Sequence, residues 1–219
     1  PPLRLPGATV EWLFHPCSFV AGDIFDYFAL GGERLSFYQL DVVGHGVPAA
    51  LLSFTLNRLL SQGAEEKRLR RQDNSQGEEV IPQLLVSELN RRFQSGIDPL
   101  QYFTMIYGNL DLRSGRVNLT QAGHPKPILL RRAARRAEPV GGGGFPVGML
   151  PDVEYETTSF DLACGDRLFL YSDGITECAN RAGEQFSEPR LRRLLEEMID
   201  LPASAVAERV GQALLEWKG

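Results

Sequence analysis

Apolar and polar residues alternate along the first forty positions and then change to a helical rhythm. "ATVEWLFHP" (8–16) has the two-residue period of a strand. "DYFALGGERLSFYQLDVV" (26–43) carries that alternation on both sides of "GGE", which predicts a hairpin. In "HGVPAALLSFTLNRLLSQ" (45–62), Val47, Leu51, Leu52, Leu56, Leu59 and Leu60 recur on one broad face, the mark of an amphipathic helix. "GAEEKRLRRQDNSQGEE" (63–79) is polar and highly charged, and Asp73, Asn74, Ser75 and Gly77 make its second half a loop. A second helix is predicted over "VIPQLLVSELNRRFQ" (80–94).

Further on, "FTMIYGNLDLRSGRVNLTQAGHPKPILLRR" (103–132) predicts two long strands joined at "RSG", and "AARRAEPV" turns the chain back. "RRAARR" (131–136) reads as the charged tip of an exposed hairpin rather than a nucleic-acid contact. "GGGGFPVGML" (141–150) is a connector ending in an apolar anchor; no helix start follows its glycines, so it is not a phosphate loop. "DRLFLYSDGITEC" (166–178) predicts an apolar strand ending at Asp173, and "EPRLRRLLEEMI" (188–199) and "ASAVAERVGQALLEW" (203–217) predict two closing helices. No internal repeat is visible. Strands outnumber helices and several are joined as hairpins, which favours an α+β fold of antiparallel sheet with helices packed outside over a doubly wound parallel one.

Composition narrows the function classes. The chain has 219 residues, 43% hydrophobic and 23% charged, enough to bury a sizeable core. Its formal net charge of -5 gives no bulk attraction for nucleic acid or an anionic membrane. No apolar stretch reaches membrane-spanning length. "PPLRLPGATVEW" lacks the basic and apolar regions of a signal peptide and reads as a cut inside a longer protein. Cys17, Cys164 and Cys178 are odd in number and form no CxxC pair. That argues against a disulfide framework or a zinc site and for a reducing, cytoplasmic setting.

Three aspartates share one context: Asp23 in "VAGDIFDYF", Asp41 in "YQLDVVGHG" and Asp173 in "FLYSDGITE". Each follows apolar residues near a glycine, as at a strand end or turn. Singly, Asp23 and Asp173 fit turn residues, and Asp41 fits a cap for the helix that follows. Together they suggest carboxylates gathered around a hard divalent cation such as magnesium, manganese or calcium. Two such ions about 3.5–4 Å apart serve phosphoryl displacement. Spacing in sequence does not itself establish that the three meet.

The ordered segments "AGDIFDYF", "LDVVGHGVPAALL", "FTMIYGNLDLRSG", "QAGHPKPILL", "FPVGML" and "LFLYSDGITECAN" resemble the metal-dependent serine/threonine protein phosphatases of the PPM family, in their bacterial SpoIIE/RsbU-type branch. The resemblance implies an α-β-β-α sandwich of two antiparallel sheets flanked by helix pairs, and a centre of two Mn2+ or Mg2+ ions. It implies that Asp23 binds one metal, Asp41 bridges both, the Val42 backbone carbonyl completes a site and Asp173 binds the other ion. Water between the ions would attack phosphoserine or phosphothreonine. The implied substrate is a phosphorylated anti-anti-sigma (STAS) protein in a sigma-factor partner switch. Residues 1–219 would then form a single output domain behind a receiver or sensor domain. The family's closing Asp-Asp-Ile-Thr-like strand, with its further metal-binding aspartate, has no counterpart before Gly219: either the protein continues or that end was cut, and without it one metal site would be weaker. His45 is the candidate proton donor for the leaving oxygen, with a structural role as its alternative; for His124 the structural role is expected. The helices at 45–62 and 80–94 correspond to the family's switching pair, and their apolar faces permit a homodimer. Two other readings are a non-catalytic partner-binding module of the same fold and a phosphoesterase acting on a small molecule.

Overall fold

The structure is a computed structural model that describes residues 3–5, 7–15, 22–29, 33–44, 46–61, 81–94 and 102–219. His45, Cys17 and the charged segment 63–79 lie outside the described residues. The chain divides into two compact units, one of residues 16–124 and 141–161, the other of residues 1–15, 125–140 and 162–219.

The first unit is built on a five-stranded antiparallel sheet in the order β3-β4-β5-β6-β9. Its strands are β3 (Ile24–Ala29), β4 (Arg34–Val42), β5 (Phe103–Asp111), β6 (Arg116–Ala122) and β9 (Thr157–Asp161). The predicted hairpins at "GGE" and "RSG" both form, as β3–β4 and β5–β6. Tyr38, Leu40 and Val42 alternate along β4 and are buried with Phe103, Met105 and Tyr107 of β5. Onto that apolar face pack α1 (Val47–Leu60) and α2 (Pro82–Gln94). They contribute Leu52, Leu56 and Leu60, and Leu85, Val86, Leu89 and Phe93. Each such side chain contributes about 1.5–3 kcal/mol on burial. Phe93 and Phe103 meet edge to face at 5.0 Å. Gly46, which has no side chain, occupies the N-cap of α1, and a proline opens its first turn.

The second unit holds a three-stranded antiparallel sheet, β10 (Arg167–Phe169), β7 (Ile128–Arg131) and β8 (Arg136–Pro139), in that order. The turn between β7 and β8 is the exposed arginine-rich tip the sequence predicts. Two closing helices form as expected, α4 (Glu188–Glu197) and α5 (Ala203–Lys218). Leu191, Leu195, Val206 and Val210 join Ile128, Leu130, Tyr171 and Phe186 in one cluster. A small ribbon, β1 (Leu3–Leu5) with β2 (Ala8–Val10), belongs to the same unit.

Several expectations are corrected. The strand expected over 8–16 pairs only at 8–10. The second long strand of 103–132 is two strands in two sheets, because Gly123 takes φ 71° and Pro125 and Pro127 offer no N–H to a ladder. The strand expected to run to Asp173 pairs only over Arg167–Phe169, and Asp173 instead opens a helical turn, α3 (Asp173–Thr176). β9, whose sequence "TTSFD" mixes polar and apolar residues at a sheet edge, was not anticipated. Val47 and Leu51, grouped in the sequence with the buried face of α1, stand 66% and 62% exposed, beside Phe54. Among the described residues no helix is long and apolar enough to cross a membrane.

Candidate metal centre

β4 sets the position of Asp41. Successive strand residues point to opposite faces, so Asp41 projects away from the side that Leu40 and Val42 bury against the helices. It is half-buried and stands directly opposite Thr104 of β5. Asp23 precedes β3 and is also half-buried, with its Oδ1 enclosed.

Gly22 joins these two strand ends. The Val42 N–H donates to the Gly22 carbonyl at 3.4 Å. A Cβ on Gly22 would lie 2.4 Å from the Val42 carbonyl oxygen and 2.9 Å from its nitrogen. Only glycine allows the two backbones so close. From α1, the buried Ser53 hydroxyl lies 2.8 Å from the Gly22 carbonyl and 2.9 Å from that of Ala49, and so ties this corner to the helix. The residue after Gly22 is Asp23 and the residue before Val42 is Asp41. The fold therefore brings together Asp23, Asp41 and the Val42 peptide.

Asp26 takes a different place. It pairs in register with Tyr38 on the helix-facing side. Burial, with the Asp26 charge added to it, pushes the Tyr38 hydroxyl well above the ordinary tyrosine range.

Asp173 belongs to the second unit. It is exposed at the start of α3, where its carbonyl accepts from Glu177 N–H at 2.8 Å and from the Thr176 hydroxyl at 3.2 Å. Among the described residues no three His, Cys, Asp or Glu side chains form a metal-holding group. The donor chemistry of the residues around the Gly22 corner is nevertheless of one kind: the Asp23 and Asp41 carboxylates and the Val42 carbonyl are all hard oxygens. That set suits magnesium or manganese and not zinc.

Sequence reasoning missed Thr104. Its hydroxyl oxygen lies 2.8 Å from Nδ1 of His124, which is 3% exposed. The register that sets Thr104 against Asp41 spans the whole α1–α2 insertion, so no local pattern announces it.

Residues 31–219 match the family described as Stage II sporulation protein E (SpoIIE). The chain is 27% identical over 172 residues to the phosphoserine phosphatase RsbP of Bacillus subtilis (strain 168), a match covering 77% of this chain and 40% of that protein. It is 24% identical over 205 residues to the phosphoserine phosphatase RsbU of the same organism, covering 92% of this chain and 56% of that one. The chain thus spans about half the length of these relatives. Among solved structures, the RsbU and RsbW domains of Rv1364c from Mycobacterium tuberculosis match with a TM-score of 0.69 and 30% identity, over 91% of this chain and 52% of that one.

Proposed function

This chain belongs to the SpoIIE family, the SpoIIE/RsbU branch of the PPM-type phosphatases, and from that premise we propose that it removes phosphate from phosphoserine or phosphothreonine of a partner protein. The partner is a phosphorylated anti-anti-sigma (STAS) protein in a pathway that controls a sigma factor. Similarity to two proteins named phosphoserine phosphatases supports the reaction class. One observation supports the site: the contact of Gly22 with the Val42 peptide, which sets Asp23 beside Asp41.

Asp23, Asp41 and the Val42 carbonyl are the groups proposed to hold Mn2+ or Mg2+, with Asp173 as ligand to a second ion. When bound, two such ions supply positive charge against the phosphoryl oxygens and acidify a water nucleophile. The chain's own part is to hold the ligands still. Asp41 rides on a nine-residue strand paired on both sides, and Asp23 is docked through Gly22. His45 is assigned the proton for the leaving serine or threonine oxygen. An upstream receiver or sensor domain belongs to the same reading. So does homodimer packing through α1 and α2, supported by the exposed Val47, Leu51 and Phe54.

The test is dephosphorylation of phosphorylated STAS proteins with and without manganese. Asp41→Asn should lose about 100-fold or more in rate while its circular dichroism and unfolding midpoint stay those of the wild type. Wild-type turnover by Asp41→Asn would reject the site. No turnover by the wild type, together with tight binding of the partner, would favour the non-catalytic module.

A further inference from the structure

We propose that His124, acting through Thr104, is a positioning residue that fixes the Asp41 carboxylate by a hydrogen-bond chain of set direction. Its consequence for metal binding rests on the reading of Asp41 as a ligand; the Thr104–His124 contact and the register of Thr104 with Asp41 do not.

Asp41 and Thr104 face each other in the β4–β5 ladder. Residues directly opposite in an antiparallel pair project from the same face with Cβ atoms about 4.5–5.5 Å apart, which puts a threonine hydroxyl within reach of a carboxylate. On its other side the Thr104 hydroxyl meets Nδ1 of His124 at 2.8 Å. A hydroxyl has one proton to give, and an ionised carboxylate only accepts. For Thr104 to donate to Asp41, its oxygen must accept from His124, so Nδ1 must carry the ring proton. The chain then runs from His124 Nδ1–H to Thr104 Oγ1, and from the Thr104 hydroxyl to Asp41. The opposite tautomer would draw the hydroxyl proton to the imidazole and leave Asp41 without it.

The backbone around His124 is held by two motifs that the metal site does not use. The Gln121 side-chain amide donates to the His124 carbonyl, and its Oε1 accepts from the Gly143 N–H at 2.8 Å. Gly123, in the left-handed region at φ 71°, lies against Pro146: a Cβ there would fall 2.6 Å from the proline Cγ. Gly123 also bridges to Met105, the residue after Thr104. "AGH" and "GGGGFP" are thus two halves of one clamp on the backbone that carries His124. Partners of this kind, one bond removed from a metal ligand, are typically worth 10–100-fold in metal affinity.

Nitrogen-15 NMR of the His124 ring gives the first readout. The expected result is the Nδ1-protonated tautomer in the wild type. In Asp41→Ala, where Thr104 is released to donate to the ring, the population should shift toward Nε2–H. Calorimetric titration with manganese gives the second. Thr104→Val should bind about tenfold more weakly, Thr104→Ser should bind as the wild type does, and His124→Asn should bind better than His124→Ala because its amide N–H can replace Nδ1–H. A residue that only fills space would not separate Val from Ser at position 104. An Nε2–H tautomer in the wild type, or one unmoved by Asp41→Ala, would overturn the proposal. If the wild type takes up no manganese, the metal reading of Asp41 falls, and the tautomer pair still decides the hydrogen-bond chain.

Discussion

The two units hold their acidic candidates by opposite means. In the five-stranded unit, Asp41 sits in a ladder with Thr104, and Asp23 is docked by Gly22 against Val42. These partners lie far apart along the chain, and both carboxylates are half-buried. In the other unit, Asp173 is exposed on a four-residue helical turn. The bonds at Asp173 are local, Ile175 N–H to Ser172 at 3.2 Å and Glu177 N–H to Asp173 at 2.8 Å, and one longer link, Ser187 N–H to the Thr176 carbonyl at 2.8 Å, holds the far end of the turn. Contacts of long sequence separation form only with the whole unit, whereas a local turn can open by itself. Asp23 and Asp41 should therefore be as rigid as the sheet, and Asp173 should be adjustable.

Two glycines, one beside each aspartate, give the largest expected contrast. Gly22→Ala drives a methyl group to within 2.4 Å of a backbone oxygen, and a peptide cannot swing aside as a side chain can. Overpacking of this kind should cost about 3 kcal/mol. Gly174→Ala, next to Asp173, meets nothing closer than the Ser172 hydroxyl at 3.7 Å and replaces a poor helix former with a good one. It should be neutral or stabilising by up to about 1 kcal/mol. Urea unfolding of both variants measures the difference. Equal costs would end the distinction between the two modes of holding.

The same distinction explains what the sequence made legible. Alternation in "ERLSFYQLDVV" and "FTMIYGNLDL" is a local signal, and both hairpins formed where it pointed. The closing helices were equally plain from the spacing of Leu191 and Leu195 and of Val206 and Val210. "RLFLYSD" misled because burial and pairing are different things: Tyr171 is buried in the cluster with α4 and α5 and makes no ladder, so the apolar run outlasts the strand. β9 was hidden for the converse reason, an edge strand needing little apolar character. The aspartates could be picked out, because charge beside glycine after an apolar run is visible locally. The Gly22–Val42 contact and the Thr104 register were not, since each depends on a pairing that only the folded sheet sets.

Ion pairs carry the contrast between long-range and local holding to smaller energies, with the two units exchanging roles. In the second unit, Asp166 has a side chain only 3% exposed. It accepts from Arg131 Nη1 at 3.0 Å, from Arg132 N–H at 2.9 Å and from Ala163 N–H at 3.1 Å. In return, Asp166 raises the Arg131 guanidinium above the ordinary arginine value. Asp166→Asn keeps the shape but removes the charge that these donors converge on. The expected loss is about 2 kcal/mol in urea unfolding at neutral pH. A loss below about 0.5 kcal/mol would mean that the cluster is held by its turn and not by its carboxylate.

Glu88, on α2 of the five-stranded unit, is the smallest case and the one with a pH signature. Its carboxylate accepts from Arg91 at 2.8 and 2.9 Å and from Arg92 at 3.1 Å. The Arg91 hydrogen bonds pull its pKa from 4.5 down to about 2; partial burial opposes the shift and Arg92 adds to it. A folded-state value below the unfolded one means that the folded chain binds fewer protons, so the stabilisation is complete above about pH 4.5 and fades as pH falls toward 2. Arg91 is 71% exposed, and solvent screens the pair well below what the shift alone would convert to. A contribution of about 1 kcal/mol is expected. Glu88→Gln should therefore be about 1 kcal/mol less stable than the wild type at pH 7, and the two unfolding curves should converge as the pH approaches 2. Added salt should narrow the gap at pH 7. All of these bonds lie within about one helical turn, so a cost matching that of Asp166→Asn would show that local pairs hold this protein as firmly as cross-element ones, and the distinction between local and long-range holding would then fail at its weakest member.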